Sequence, residues 1–245
     1  MRVYHIFIMN ETSSPTDQDT DRRHTGESQS DHAFRIMEQK IVCCELEPGE
    51  LFTEKQVSVV IGFGRTPTRE AIQKLSYGML LHITPRSGLT IAPVKYHDTV
   101  QVMQVRILLE KLLVELAVSR SSSFEKRRFT KFSEDMHQFA KEPDKLEVAQ
   151  LDDELNRFVA DTAGHDVAAR HSLPLHTLTR RLGYLDVRFR GPQSLIRSAK
   201  GHAELCEFLA EGDIIGAHSA LDKLYELNLE VLEALIEVLP QKYTI

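Results

Sequence analysis

The chain has no tryptophan, six tyrosines and three cysteines among its 245 residues. Without tryptophan and with so few tyrosines, it lacks the aromatic platforms that line sugar clefts and single-stranded nucleic-acid grooves. Cys43, Cys44 and Cys206 are odd in number, two of them are adjacent, and no zinc spacing connects them. Neither a disulfide framework nor a zinc knuckle is expected, and a reduced, cytoplasmic setting is the simplest home. No apolar run reaches the roughly 18 residues that would cross a bilayer. The opening MRVYHIFIM is not followed by a small-residue cleavage site, and Met9 is an alternative start. Nor is there an excess of basic charge: the net value is -6, so any affinity for nucleic acid has to be local.

What is present is enough for a core. The hydrophobic fraction is 42%, and the length suits one large domain or two modest ones. Residues 10–31 are polar and nearly free of aliphatics, so residues 1–32 are expected to form a disordered tail. From Ala33 the pattern tightens. Phe34, Met37, Ile41 and Val42 have helical spacing, and the segment stops at the Pro48-Gly49 turn. A short helix fits 54–61, closed by Gly62. A third starts at Thr66 as N-cap, with Pro67 at its first position. Two β-prone runs, LLHIT and LTIAPV, are joined by PRSG, a hairpin signal. Three helices and a hairpin, spanning 33–95, are the order of a winged helix-turn-helix.

Beyond Lys95 the reading changes to long helices, at 99–119 with Asp98 as cap, then 124–141, 145–163, 166–190, 193–211 and 214–238. Pro174 is a candidate kink or break in the fourth. The class is therefore mainly α: an amino-terminal winged helix-turn-helix, then an antiparallel bundle of about six helices over 96–240.

The stretch GFGRTPTREAIQKL holds the local charge. On a helical wheel over 66–79 Ala71, Ile72, Leu75 and Met79 share one side with Thr68, while Thr66, Arg69 and Gln73 face away. The second helix of a helix-turn-helix enters the major groove by its N-terminal residues, where arginine reads guanine and hydroxyls or amides hold phosphate. Arg65, Thr66 and Arg69 stand where such contacts are needed; the alternative is a solvated helix face. Residues 33–94 carry seven Lys/Arg against six Glu, an excess of one positive charge, so the module is less acidic than the rest of the chain.

Over about fifty residues this region resembles the DNA-binding domain of the GntR family of bacterial transcription regulators. The resemblance rests on Pro48-Gly49, on Glu54, on Gly62-Phe63-Gly64-Arg65-Thr66-Pro67-Thr68-Arg69-Glu70-Ala71 and on Gly88. It implies DNA contact by Lys55, Arg65, Thr66 and Arg69, with Gly88 letting the wing approach the minor groove. Gly64 stands where the family usually has Ser or Thr. Lys55 stands where many members have Arg, and lysine cannot pair bidentately.

The helical part resembles the FCD effector domain of the FadR subfamily, which implies dimerisation and a pocket for a small organic acid, often beside zinc or nickel. Asp152 and His202 match two of the metal-site positions, Asn156 stands for a histidine, and the last histidine falls near Leu224. Asn is a poor transition-metal ligand and Leu is none. His218 and His176 are available as substitutes, although no spacing requires them. Arg106 matches the arginine of the first effector helix, with either Glu110 or a carboxylate ligand as its anion. Arg106, Asp152, Asn156 and His202 are the ligand-binding candidates, with Tyr225 and Asn228 secondary. The resulting expectation is a homodimeric regulator, a repressor by family habit, that binds a double-stranded operator and a small carboxylate effector and does not engage membrane. The rivals are a protein-interaction module that has lost DNA binding and a metal-dependent hydrolase on Asp152 and His202, which lacks a nucleophile motif and a placed general base.

Overall fold

The computed structural model describes residues 26–141 and 145–245. Most of the expected tail and the alternative start at Met9 lie outside the described residues. The tail's final part is helical. Ser28 accepts a hydrogen bond from the Asp31 amide at 3.1 Å and caps α1 (Gln29–Val42), which begins ahead of Ala33.

α2 (Glu54–Ile61) opens on a reciprocal capping box between Thr53 and Gln56 and closes at Gly62, whose φ of 75° is left-handed. α3 (Arg65–Tyr77) corrects the expected cap: Gly64 is the N-cap, not Thr66, and Pro67 becomes the third helical residue. Its missing N–H is still among the first-turn donors that have no helical acceptor. Thr68 is buried with Ala71, Ile72 and Leu75, its hydroxyl donating to the Gly64 carbonyl at 2.9 Å, whereas Met79 lies past the helix end at φ 60° and is 45% exposed. These residues share a core with Met37 and Ile41 of α1 and with Val57 and Ile61 of α2.

β2 (Leu81–Thr84) and β3 (Gly88–Ile91) make the hairpin. β1 (Leu51–Phe52), too short to show a period, adds to β3 and gives the antiparallel order β1-β3-β2, with Leu51 opposite Thr90 and Thr84 opposite Gly88. This is a winged helix-turn-helix.

Six helices follow: α4 (Tyr96–Arg120), α5 (Ser123–Phe139), α6 (Lys145–Ala163), α7 (Asp166–Arg190), α8 (Gln193–Glu211) and α9 (Ile214–Val238). Asp98 lies in the first turn of α4; Lys95 is the N-cap. α7 runs through Pro174 undivided. α5 packs on α8, α8 on α9, and α9 on α4, around Phe129, Phe132, Met136, Leu155, Leu209 and Leu221. Each fully buried Leu or Phe there contributes roughly 1.5–3 kcal/mol of transfer free energy. The second domain reaches past the expected end at 240, because residues Gln241–Tyr243 form a 3-10 turn that buries Tyr243 against Leu185, Leu235 and Leu239.

Candidate functional site

Two surfaces carry the chemistry. On the winged module Lys55, Arg65, Thr66 and Arg69 are all exposed, grouped at the amino-terminal ends of α2 and α3. Gly64 offers no side-chain cap, so the first-turn amides of α3 have no side-chain acceptor of their own. A helix end of that kind suits a phosphate. Arg69 Nε lies 3.5 Å from Glu54 Oε1, with both side chains more than half exposed, and such a pair holds the arginine only loosely.

Gly88 has an internal reason to be glycine. Its φ is +110°, and a Cβ there would overlap the Phe52 carbonyl oxygen of β1. The wing tip is the Thr84-Ser87 turn, closed by the Ser87 amide on the Thr84 carbonyl at 3.0 Å, and its apex is the exposed Arg86 at φ 67°. Arg86 is the hairpin's share of the module's local positive charge, and its place in PRSG is the sequence signal for it. Gly88→Ala is expected to destabilise the fold by about 1–3 kcal/mol through strain in the wing. A variant of unchanged melting temperature with weakened DNA binding would instead make groove approach the reason.

The second surface lies inside the bundle. Asp152 on α6 is the hub. Its two carboxylate oxygens meet His176 Nε2 of α7 and His202 Nε2 of α8, each at 3.1 Å. Asn156, one turn along α6, places its amide nitrogen 2.9 Å from His176 Nε2 and 2.8 Å from the Asp152 carbonyl. His202 Nδ1 donates to the Ser198 carbonyl at 2.9 Å, so its Nε2 can donate to Asp152 only when the ring carries both protons. Burial alone pushes the Asp152 carboxyl up, but the fields of His176 and His202, the His176 hydrogen bond and the charge of Arg106 outweigh it. The carboxyl is held well below the usual range.

Arg106 on α4 reaches the same cavity. Its Nε donates to Glu110 at 2.6 Å and its Nη1 to the Thr179 hydroxyl, and only 11% of the side chain is exposed. The pairing with Glu110 and the place in the pocket, posed as alternatives by the sequence, hold together. Tyr225 and Asn228 line the cavity too. His218 does not, since its Nε2 lies 3.2 Å from the Lys111 carbonyl. Of the two substitutes it is His176, which no spacing selects, that joins His202 at the Asp152 carboxylate. Leu224, at the position of the expected last histidine, is buried over Gly201.

This set does not fit the implied zinc or nickel ion. Among the described residues no three His, Cys, Asp or Glu side chains are arranged to hold a metal. The two histidine Nε2 atoms lie beside opposite oxygens of the carboxylate instead of converging with them on one point, and Asn156 and Leu224 supply no transition-metal ligand.

Comparison with known proteins agrees with both halves. The sequence model described as bacterial regulatory proteins, gntR family, matches residues 29–91, and that of the FCD domain matches residues 101–227. This chain belongs to the GntR-family regulators with an FCD domain. Like other members of that family, the regulator is a ligand-responsive, DNA-binding transcription regulator. It is 26% identical over 186 residues to the HTH-type transcriptional repressor RspR of Escherichia coli, an alignment covering 74% of the regulator and 78% of RspR. It is 34% identical over 79 residues to the HTH-type transcriptional regulator YdhC of Bacillus subtilis, covering 32% of the regulator and 35% of YdhC. Among solved structures, McbR/YncC of E. coli superposes with a TM-score of 0.74 at 17% identity, covering 85% of the regulator and 98% of that chain, which supports the fold. No helix among the described residues is long and apolar enough to cross a membrane.

Proposed function

We propose that the chain is a cytoplasmic, homodimeric repressor whose two winged modules read the half-sites of a near-palindromic operator and whose bundle senses a small carboxylate without needing a metal. The observation that carries the sensing half is Arg106. A guanidinium almost out of solvent, with Nε and Nη1 already oriented by Glu110 and Thr179, keeps a further Nη2 for an anion arriving beside His176 and His202. These groups bind the anion, and none is catalytic.

Dimerisation is supported by α4. Val105, Leu108 and Leu112 are 52%, 70% and 39% exposed on neighbouring turns of one face. An apolar stripe of this kind on a charged chain calls for a cover, and a second copy offers the same stripe about a two-fold axis. The similarity to RspR, whose name makes it a repressor, favours repression.

The test is a gel shift with the DNA upstream of the protein's own gene, in a salt series, together with thermal shift across mono-, di- and hydroxycarboxylates. Salt-sensitive, sequence-selective retardation and stabilisation by one acid class are expected. Arg106→Ala, made with Glu110→Gln so that no buried carboxylate is left alone, should remove the thermal shift while changing DNA affinity by no more than about threefold. An unchanged response to the acid would take Arg106 out of the pocket.

A further inference from the structure

α7 presents two faces. His176, Thr179 and Arg180 line the effector cavity. Pro174, Thr177, Leu178 and Arg181, offset along the helix by three and four residues, face the winged module. Pro174 lies against Gly78 at the end of α3, the Thr177 hydroxyl donates to Glu38 of α1 at 2.8 Å, and Leu178 packs on the module's core. Arg181 Nη1 donates to the Ala92 carbonyl, just after β3, at 2.7 Å. The helix that senses the cavity is thus the one the DNA-binding module rests on.

The carboxyl-terminal turn closes this joint from the other side. The Tyr243 carbonyl accepts the amide of Val94, in the segment linking the two domains, at 2.7 Å. Lys242 Nζ reaches Glu47 at 2.5 Å, and Arg188 of α7 meets the same carboxylate at 3.3 Å. A Cβ on Gly49 would overlap the Lys242 carbonyl oxygen, so the Pro48-Gly49 turn and the terminal turn touch backbone to backbone. Tyr243 is 1% exposed, edge-on to Phe189 at 6.1 Å. The last residues therefore tie together the winged module, the linker and α7.

Arg181 opposes that closure. Its side chain is buried, its Nε has no hydrogen-bond partner, and no carboxylate pairs with it in the described structure. Burial pulls its pKa down to about 10. A guanidinium with one carbonyl acceptor in place of its hydration disfavours the state that buries it.

We propose that residues 240–243 are a latch holding the DNA-binding module against α7, and that the uncompensated Arg181 at the same joint biases it toward release. Two arrangements, docked and released, then lie close in free energy, and a ligand on the opposite face of α7 needs only modest differential affinity to move the balance.

The test needs neither DNA nor effector. In the full-length protein, hydrogen exchange at the Val94 amide and tryptic cleavage after the exposed Lys95 report release directly. Tyr243→Ala should speed both about tenfold or more, Glu47→Gln should speed them less, and Arg181→Met should slow them, while exchange inside the α5–α8 core stays unchanged. Wild-type rates in Tyr243→Ala and Glu47→Gln, or faster release in Arg181→Met, would overturn the latch. Should Tyr243→Ala fail to fold, Glu47→Gln and Arg181→Met decide the matter alone, since one keeps the side chain's shape and the other replaces a buried charge with an unbranched apolar chain that retains its stem.

Discussion

Arg69→Ala is expected to abolish retardation of operator DNA while leaving the melting temperature and oligomeric state unchanged. The side chain is 67% exposed and its one ion pair among the described residues, to Glu54 at 3.5 Å, is exposed as well, so the fold does not depend on it. In the groove the balance is different. A base-reading arginine contributes about 1–3 kcal/mol, and the proposed dimer uses it twice, so roughly 2–6 kcal/mol is at stake, or about thirtyfold to twenty-thousandfold in affinity. Measured at fixed salt, a loss under about threefold would show that Arg69 does not touch DNA. A clear fall in melting temperature would make it a structural partner of Glu54.

Asp152→Asn should produce the largest change in the bundle. The carboxylate faces two histidines at 3.1 Å, with Arg106 nearby, and only 14% of its side chain is exposed. Removing one partner from such a cluster leaves the others uncompensated, at a cost of about 2–4 kcal/mol, which lowers the Tm of a chain this size by roughly 5–15 °C. The sign with pH follows from the depressed carboxyl. Its contribution is complete above the unfolded value, near 3.9, and is lost as pH falls through the lower folded value. Urea unfolding of wild type and variant should therefore differ most at neutral pH and converge progressively below about pH 4. A gap that stays constant down to about pH 2 would mean that Asp152 stabilises the bundle by packing and not by charge.

The fold was largely legible because its signals are local. Gly62 and Gly212 end helices in left-handed conformations, Asp213 caps α9 through the Gly216 amide, and the bounds expected for α6 to α9 match those observed. The misses were local as well. Glycine served as the α3 cap without a side-chain bond, and a two-residue strand has no period to detect. The site was read less completely. Asp152, Asn156, His202 and Arg106 do meet in one place, but His176 enters through the packing of α7 on α6, and its twenty-residue separation from Asn156 is no helical repeat. The family resemblance gives Gly88 a role at the minor groove, while the contact within the fold that requires a glycine there comes from Phe52, thirty-six positions earlier.

Periodicity, capping residues and the Arg65–Ala71 stretch are written along the chain and act over a few residues, so the sequence alone determined the two-part architecture and the exposed basic helix front. Which histidine shares the Asp152 carboxylate, where the Lys242 and Tyr243 backbone settles and how Arg181 comes to be buried without a counter-ion were decided only by tertiary structure. Those outcomes depend on the angles and offsets at which helices pack, and these are set by many side chains acting at once.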